Sequence, residues 1–170
     1  MAGHPADKRA SDVLDDLCAR AMALSIGGET VVFVSVDVLF LDGESVGEIR
    51  RCLCDTGIPG ERICAGATHT HSGPMTTALF GEPGEREYGE TLKEGIVRSV
   101  RDALASREPA RISCAESVME GFSFNSRFIM NDGTVETHPF RGSSRIVGPE
   151  GPTDPAVVAL LATDAGGSLM

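Results

Sequence analysis

The stretch Val31 to Leu41, VVFVSVDVLFL, decides how the chain folds. It is apolar and rich in β-branched residues, interrupted only by Ser35 and Asp37, so it reads as a central strand covered on both faces. Upstream, Cys18 to Ile26 is a second apolar arm, and Gly27-Gly28 between the arms marks a hairpin turn. Downstream, Val46, Ile49 and Leu53 recur at helical spacing within Glu44 to Thr56, and Gly57 and Pro59 end that helix. A further apolar run, Ile63 to Ala67, follows at once. Strand, helix, strand in this order implies a parallel pair with the helix crossing one face. The expected architecture is α/β: one domain with a mixed sheet flanked by helices, with β-hairpins added.

The second short strand leads into Thr68-His69-Thr70-His71 and stops at Ser72-Gly73-Pro74, turn residues that cannot extend a central strand. Side chains alternate along a strand, so residues two apart face the same way, about 7 Å apart along the backbone. His69 and His71 are therefore expected to present two imidazoles together at the carboxyl end of a strand. That is the usual location of a site on an α/β scaffold, and neutral imidazole is a common zinc ligand. On spacing alone, the same pair also suits two loop histidines bonded to backbone and solvent. Asp37 falls at the neighbouring strand end. It either orients a ligand histidine or bonds the amides of the adjoining turn or helix.

Composition narrows the function classes. In 170 residues, 41% hydrophobic and 24% charged content fits one globular domain with a real core. A net charge of −10 excludes nucleic acid and anionic membrane surfaces as natural partners, and leaves small molecules, lipids and proteins. The odd count of five cysteines, scattered among apolar runs, reads as buried reduced thiols. No apolar run is as long as a membrane helix and the N-terminus lacks a signal-peptide core, so the chain as given reads as cytoplasmic.

Residues 1 to 12 read as an irregular lead-in, with His4 a solvated loop residue. Met75 to Tyr88, with two glycines and a proline, is long enough to wall a pocket or act as a lid. Arg86 to Arg107 carries Leu92, Ile96, Val100, Ala103 and Leu104 on one side, a helix of about five to six turns. Ala110 to Met119 reads as a strand. Phe122 to Met130 and Thr134 to Glu136 flank Asn131-Asp132-Gly133, a hairpin-turn sequence. From there to Pro152 the chain reads as loop, with His138 a solvated loop histidine, until Val157 to Thr163 gives another strand that Ala165-Gly166-Gly167 turns back.

Five pieces together resemble the N-terminal catalytic domain of the neutral/alkaline non-lysosomal ceramidase family. They are Asp15-Asp16-Leu17-Cys18-Ala19-Arg20-Ala21, VFVSVDVL at 32 to 39, ATHTHSGP at 67 to 74, the Asn125 to Gly133 hairpin, and Gly151-Pro152-Thr153-Asp154-Pro155. The resemblance covers nearly all of residues 1–170 and implies part of that domain. It implies a zinc-dependent amidohydrolase of sphingolipid metabolism, cleaving an N-acyl amide such as ceramide to a fatty acid and an amine. It also implies Zn2+ as cofactor, His69 as a direct zinc ligand, His71 lining the reaction centre, and secreted or membrane-associated relatives. An arginine of the Asn125 hairpin is implied near the reacting carbonyl. Relatives place it directly after the asparagine, whereas Ser126 stands there and Arg127 follows. On a strand one residue changes the face, so Arg127 reads either as that arginine or as a surface residue of the hairpin arm.

The remaining zinc ligands and the catalytic serine segment of the family come from further along the chain. The sequence thus reads as a fragment, or as a shortened descendant, completed by the missing C-terminal part or another subunit. Two rival readings stand beside it: a different zinc hydrolase that uses both histidines as ligands, and a metal-free module that binds a partner through an exposed sheet edge.

Overall fold

In the computed structural model, residues 1–4, 9–78 and 83–170 are described, and they divide into two compact units, Met1–Glu108 and Pro109–Met170. The first unit is built on a three-stranded mixed sheet in the order β1 (Ala19–Ile26), β2 (Glu29–Val36), β3 (Ile63–Ala67). β1 and β2 form the expected antiparallel hairpin with Ile26 opposite Glu29. Gly27 and Gly28 turn it at φ 60° and 86°, values that side chains with a Cβ rarely adopt. β2 pairs in parallel with β3, Val32 opposite Ile63 and Val36 opposite Ala67. Between these two strands runs α1 (Gly43–Cys52), capped by the Asp42 carboxylate, which accepts from the Ser45 N–H at 2.7 Å. α2 (Arg86–Ala105) completes the unit. The α/β class with a mixed sheet and flanking helices is as the sequence indicated.

One face of this sheet holds the core. Val32, Val34 and Val36 of β2 alternate inward and are buried against Ile49 and Leu53 on the α1 side and Ile96 and Val100 of α2. Ala19, Ala21 and Ala23 of β1, with Ala65 and Ala67 of β3, pack around them. The small alanines let the helices approach the valine row closely. Burying each such valine or leucine contributes roughly 1.5–3 kcal/mol.

Two expectations are corrected here. β2 is not covered on both faces: Met22, Phe33 and Cys64, in register across the three strands, form an exposed row. The apolar character of VVFVSV concealed this, because Phe33 is hydrophobic yet sits at an outward position of the two-residue repeat. Nor are the cysteines buried. All five are free thiols, but Cys52, Cys54, Cys64 and Cys114 are exposed and Cys18 is half-buried. Cys52 and Cys54 flank Leu53, whose side chain takes the inward position.

The second unit contains a two-stranded ribbon and a three-stranded antiparallel sheet. β4 (Arg111–Val118) pairs with β8 (Ala156–Thr163). The turn at Ala165 to Gly167 brings Leu169 back to bridge Thr163, as the sequence suggested. β5 (Arg127–Met130) is central between β6 (Val135–Thr137) and β7 (Ile146–Pro149). The Asn131-Asp132-Gly133 hairpin forms as expected, with Gly133 at φ 81°. β7 was expected as loop; its Gly148 and Pro149 are poor strand residues, tolerated because the strand lies at an edge. The Asp132 carboxyl is held down to about 2, first by the Thr134 hydroxyl and amide and then by the Arg145 guanidinium.

Leu53 is fully buried where α1 gives way to a 3-10 turn. Leu53→Ala is expected to lower stability of the first unit by about 2–5 kcal/mol, read from urea unfolding, whereas the flanking Cys54→Ser shifts it by less than about 0.5 kcal/mol. Equal effects of the two substitutions would refute this placement of the core.

Candidate functional site

The site grows from the parallel register of β2 and β3. Because Val36 lies opposite Ala67, the residues that follow, Asp37 and Thr68, leave the sheet side by side. The Thr68 N–H donates to the Val36 carbonyl at 2.9 Å, continuing the ladder one residue beyond the strand. Asp37 then fastens three segments. Its N–H donates to the Cys18 carbonyl at 2.9 Å, and its Oδ2 accepts from the Cys18 N–H at 3.0 Å and from Arg20 Nη1 at 3.1 Å. The Cys18 amide above all, helped by the Arg20 guanidinium and the Thr68 hydroxyl, holds the Asp37 carboxyl below the usual carboxylate range. Asp37 therefore takes neither role that the sequence left open: the amide it bonds is that of Cys18, just before β1, and the helix that follows is capped by Asp42 instead. Asp37 steadies the histidine loop through Thr68 and makes no bond to an imidazole among its described partners.

His69 and His71 do come together, but not by strand alternation. β3 stops at Ala67, and His69 adopts φ 63°, in the left-handed region uncommon for residues with a Cβ. Its ring centroid lies 5.1 Å from that of His71, edge to face at 90°. Both residues are exposed. His69 Nδ1 lies 3.0 Å from the Leu39 carbonyl oxygen. A carbonyl can only accept, so in the neutral ring Nδ1 carries the proton and Nε2 keeps its lone pair. Phe40 also packs edge-on against His69, centroids 5.2 Å apart at 66°. The chain thus fixes both the tautomer and the orientation of His69, as the partner atoms of a ligand histidine do.

His4 corrects the reading of residues 1 to 12 as a lead-in without a role. Its ring lies 5.7 Å from that of His71 at 69°, so three of the four histidines meet, with His71 between His4 and His69. Nothing local in the sequence signals this, because the contact joins residues more than sixty positions apart. Phe40 and Leu39 were likewise legible only as strand residues. Among the described residues no three His, Cys, Asp or Glu side chains are grouped so as to hold a metal ion.

Beside His69, Phe40 also lines a cavity of about 170 Å³ between α1 and α2. Thr76 and Thr77 wall it, their hydroxyls donating to the Phe40 carbonyl at 3.0 Å and to Asp42 Oδ2 at 2.8 Å. The part of Met75 to Tyr88 that is described thus serves as a wall; residues 79–82 of that segment lie outside the described residues. Ser72 is exposed, with its N–H bonded to Thr70 Oγ1 at 3.2 Å. Arg127 belongs to the second unit, where its Nη2 donates to Glu150 Oε1 at 2.9 Å and its Nε to the other carboxylate oxygen. His138 is an exposed loop residue whose N–H donates to the Ser126 carbonyl at 2.8 Å.

No family model and no curated protein matches the chain. Solved structures do. A ceramidase complexed with C2 is similar at a TM-score of 0.62 and 22% identity, over 89% of this chain and 24% of that one. A neutral ceramidase from Pseudomonas aeruginosa is similar at 0.59 and 22%, over 84% and 23%. The fold is ceramidase-like, and the chain spans about a quarter of the length of these proteins.

The Asp37 junction yields a pH test. A carboxyl with a lowered folded pKa contributes stability that is fully present above its unfolded value of about 3.9 and is lost as pH falls through the lower folded value. Asp37→Asn is expected to cost roughly 1–3 kcal/mol at neutral pH and to flatten the acid limb of a stability–pH curve below about pH 4. An unchanged acid limb in the variant would sink the assignment.

Proposed function

We propose that residues 1–170 are part of the catalytic domain of a zinc-dependent amidohydrolase of the neutral ceramidase type, cleaving an N-acyl amide of the ceramide class to a fatty acid and an amine. The observation that carries this reading is the exposed imidazole pair at the end of β3, with His69 Nδ1 tied to the Leu39 carbonyl. The ceramidase-like fold supports it, as does the agreement of five sequence pieces with that family.

In this reading His69 holds the zinc ion through Nε2, the nitrogen its backbone bond leaves with a lone pair. A bound zinc ion would supply Lewis acidity toward a carbonyl oxygen and toward water. His71 does the proton work. Its Nδ1 edge faces Gly3, which leaves Nε2 as the nitrogen that would take a proton from the attacking water and deliver it to the departing amine. Arg127, which the family resemblance implies near the reacting carbonyl, belongs to the second unit, where the exposed Glu150 carboxylate pairs with it. Further zinc ligands are assigned to chain outside these residues or to another subunit, since two imidazoles do not make a stable catalytic site.

One observation favours a second reading, a partner-binding module: β3 is an edge strand, next to the exposed row of Met22, Phe33 and Cys64. Metal analysis after dialysis and a fluorogenic N-acyl amide assay separate the two. The amidohydrolase reading expects retained zinc, hydrolysis abolished by chelator and restored by Zn2+, loss of zinc in His69→Ala, and a fall in kcat of about 10²–10⁴-fold in His71→Ala with zinc retained. A protein that holds no zinc and hydrolyses no amide at any zinc concentration overturns it.

A further inference from the structure

We infer that Gly3 and His4 are positioning residues for His71, so that the Met1–His4 segment is a wall of the site. The inference rests on the reading that His71 works at the reaction centre. Three separate contacts place the segment. Ala2 is 1% exposed and its N–H donates to the Gly73 carbonyl at 2.9 Å, which fastens the segment to the turn that follows the histidines. Gly3 sits at φ 70°, and a Cβ there would fall 2.5 Å from His71 Nδ1 and 2.7 Å from its Cε1, with Leu39 Cδ2 at 3.0 Å. His4 then lays its ring against His71.

His71 is exposed, yet three neighbours lie against it: His69, His4 and the bare Cα side of Gly3. An exposed side chain ordinarily samples its rotamers on the nanosecond scale. Here the close approach at Gly3 removes the space into which the imidazole would swing. A methyl group at position 3 cannot be accommodated without moving the ring or lifting the segment, and the backbone at φ 70° disfavours any side chain besides. Either response frees His71. Misplacement of a reacting group by about 1 Å can cost about 100-fold in rate.

The test is made on the whole chain with Gly3→Ala, His4→Ala and His4→Phe, reading the ring-proton NMR signals of His69 and His71 at one fixed pH together with kcat and KM for the fluorogenic amide. Gly3→Ala is expected to move the His71 ring signals and weaken the cross-relaxation between the two rings, with core methyl signals of Val32 and Ile49 unmoved. kcat falls by about 100-fold while KM stays within about twofold. His4→Ala does the same more weakly, and His4→Phe, which keeps a ring edge on His71, recovers most of the loss. Unmoved His71 signals in Gly3→Ala overturn the inference, and so does a His4→Phe that is no better than His4→Ala. Should Gly3→Ala fail to fold, the two His4 variants decide. If the parent protein hydrolyses no amide, the proposed function falls while the ring signals still answer for the positions of Gly3 and His4.

Discussion

The parallel pairing of β2 with β3 is the constraint from which the rest of the first unit follows. It places Val36 opposite Ala67 and so delivers Asp37 and the T-H-T-H segment to one edge of the sheet. The pairing is held in register by the inward row Val32, Val34, Val36, because a slip of one residue would turn that row to solvent. Packing and site geometry are therefore one fact seen from two ends. The same valines that bury the core beneath α1 and α2 determine which residues emerge beside the histidines.

Asp37 shows how a polar group finishes what packing begins. β1 ends its ladder at Ala19 opposite Val36, and Asp37 extends the pairing through both its N–H and its carboxylate on Cys18. A carboxylate in this half-buried position is stable because backbone and side-chain donors satisfy it, with the Arg20 guanidinium beside it. Its link to Thr68 passes that order into the loop.

The fold was largely legible because its signals are local. Gly27-Gly28, the spacing of Val46, Ile49 and Leu53, and the Asn131-Asp132-Gly133 turn each fix a neighbouring element through backbone preference or periodicity. What sequence could not supply was which face of an apolar strand meets the core. Phe33 and Val34 are equally hydrophobic, and only the placement of both helices against the valine side makes Phe33 an outward residue. β7 was missed for a related reason: Gly148 and Pro149 are turn residues by composition, and only pairing with β5 makes them a strand. Of the site, His69 and His71 were legible from the strand-to-turn transition, but the cause of their meeting was not. The two-residue repeat suggested the pair, whereas the left-handed backbone at His69 produces it.

That backbone carries a cost which the site's surroundings must offset. A residue with a Cβ held at positive φ stores roughly 1–3 kcal/mol, and such strain persists only where neighbouring contacts over-determine the conformation. At His69 those contacts are identifiable: the Thr68 N–H on Val36, the Leu39 carbonyl on Nδ1, and the Phe40 ring on the imidazole. None of them buries the histidine, which stays exposed. Strain that buys no burial is not explained by stability of the core, since a glycine at position 69 would relieve it and expose nothing more. The contacts at His69 instead hold an exposed imidazole in a fixed orientation, its Nδ1 on the Leu39 carbonyl and its ring beside that of His71.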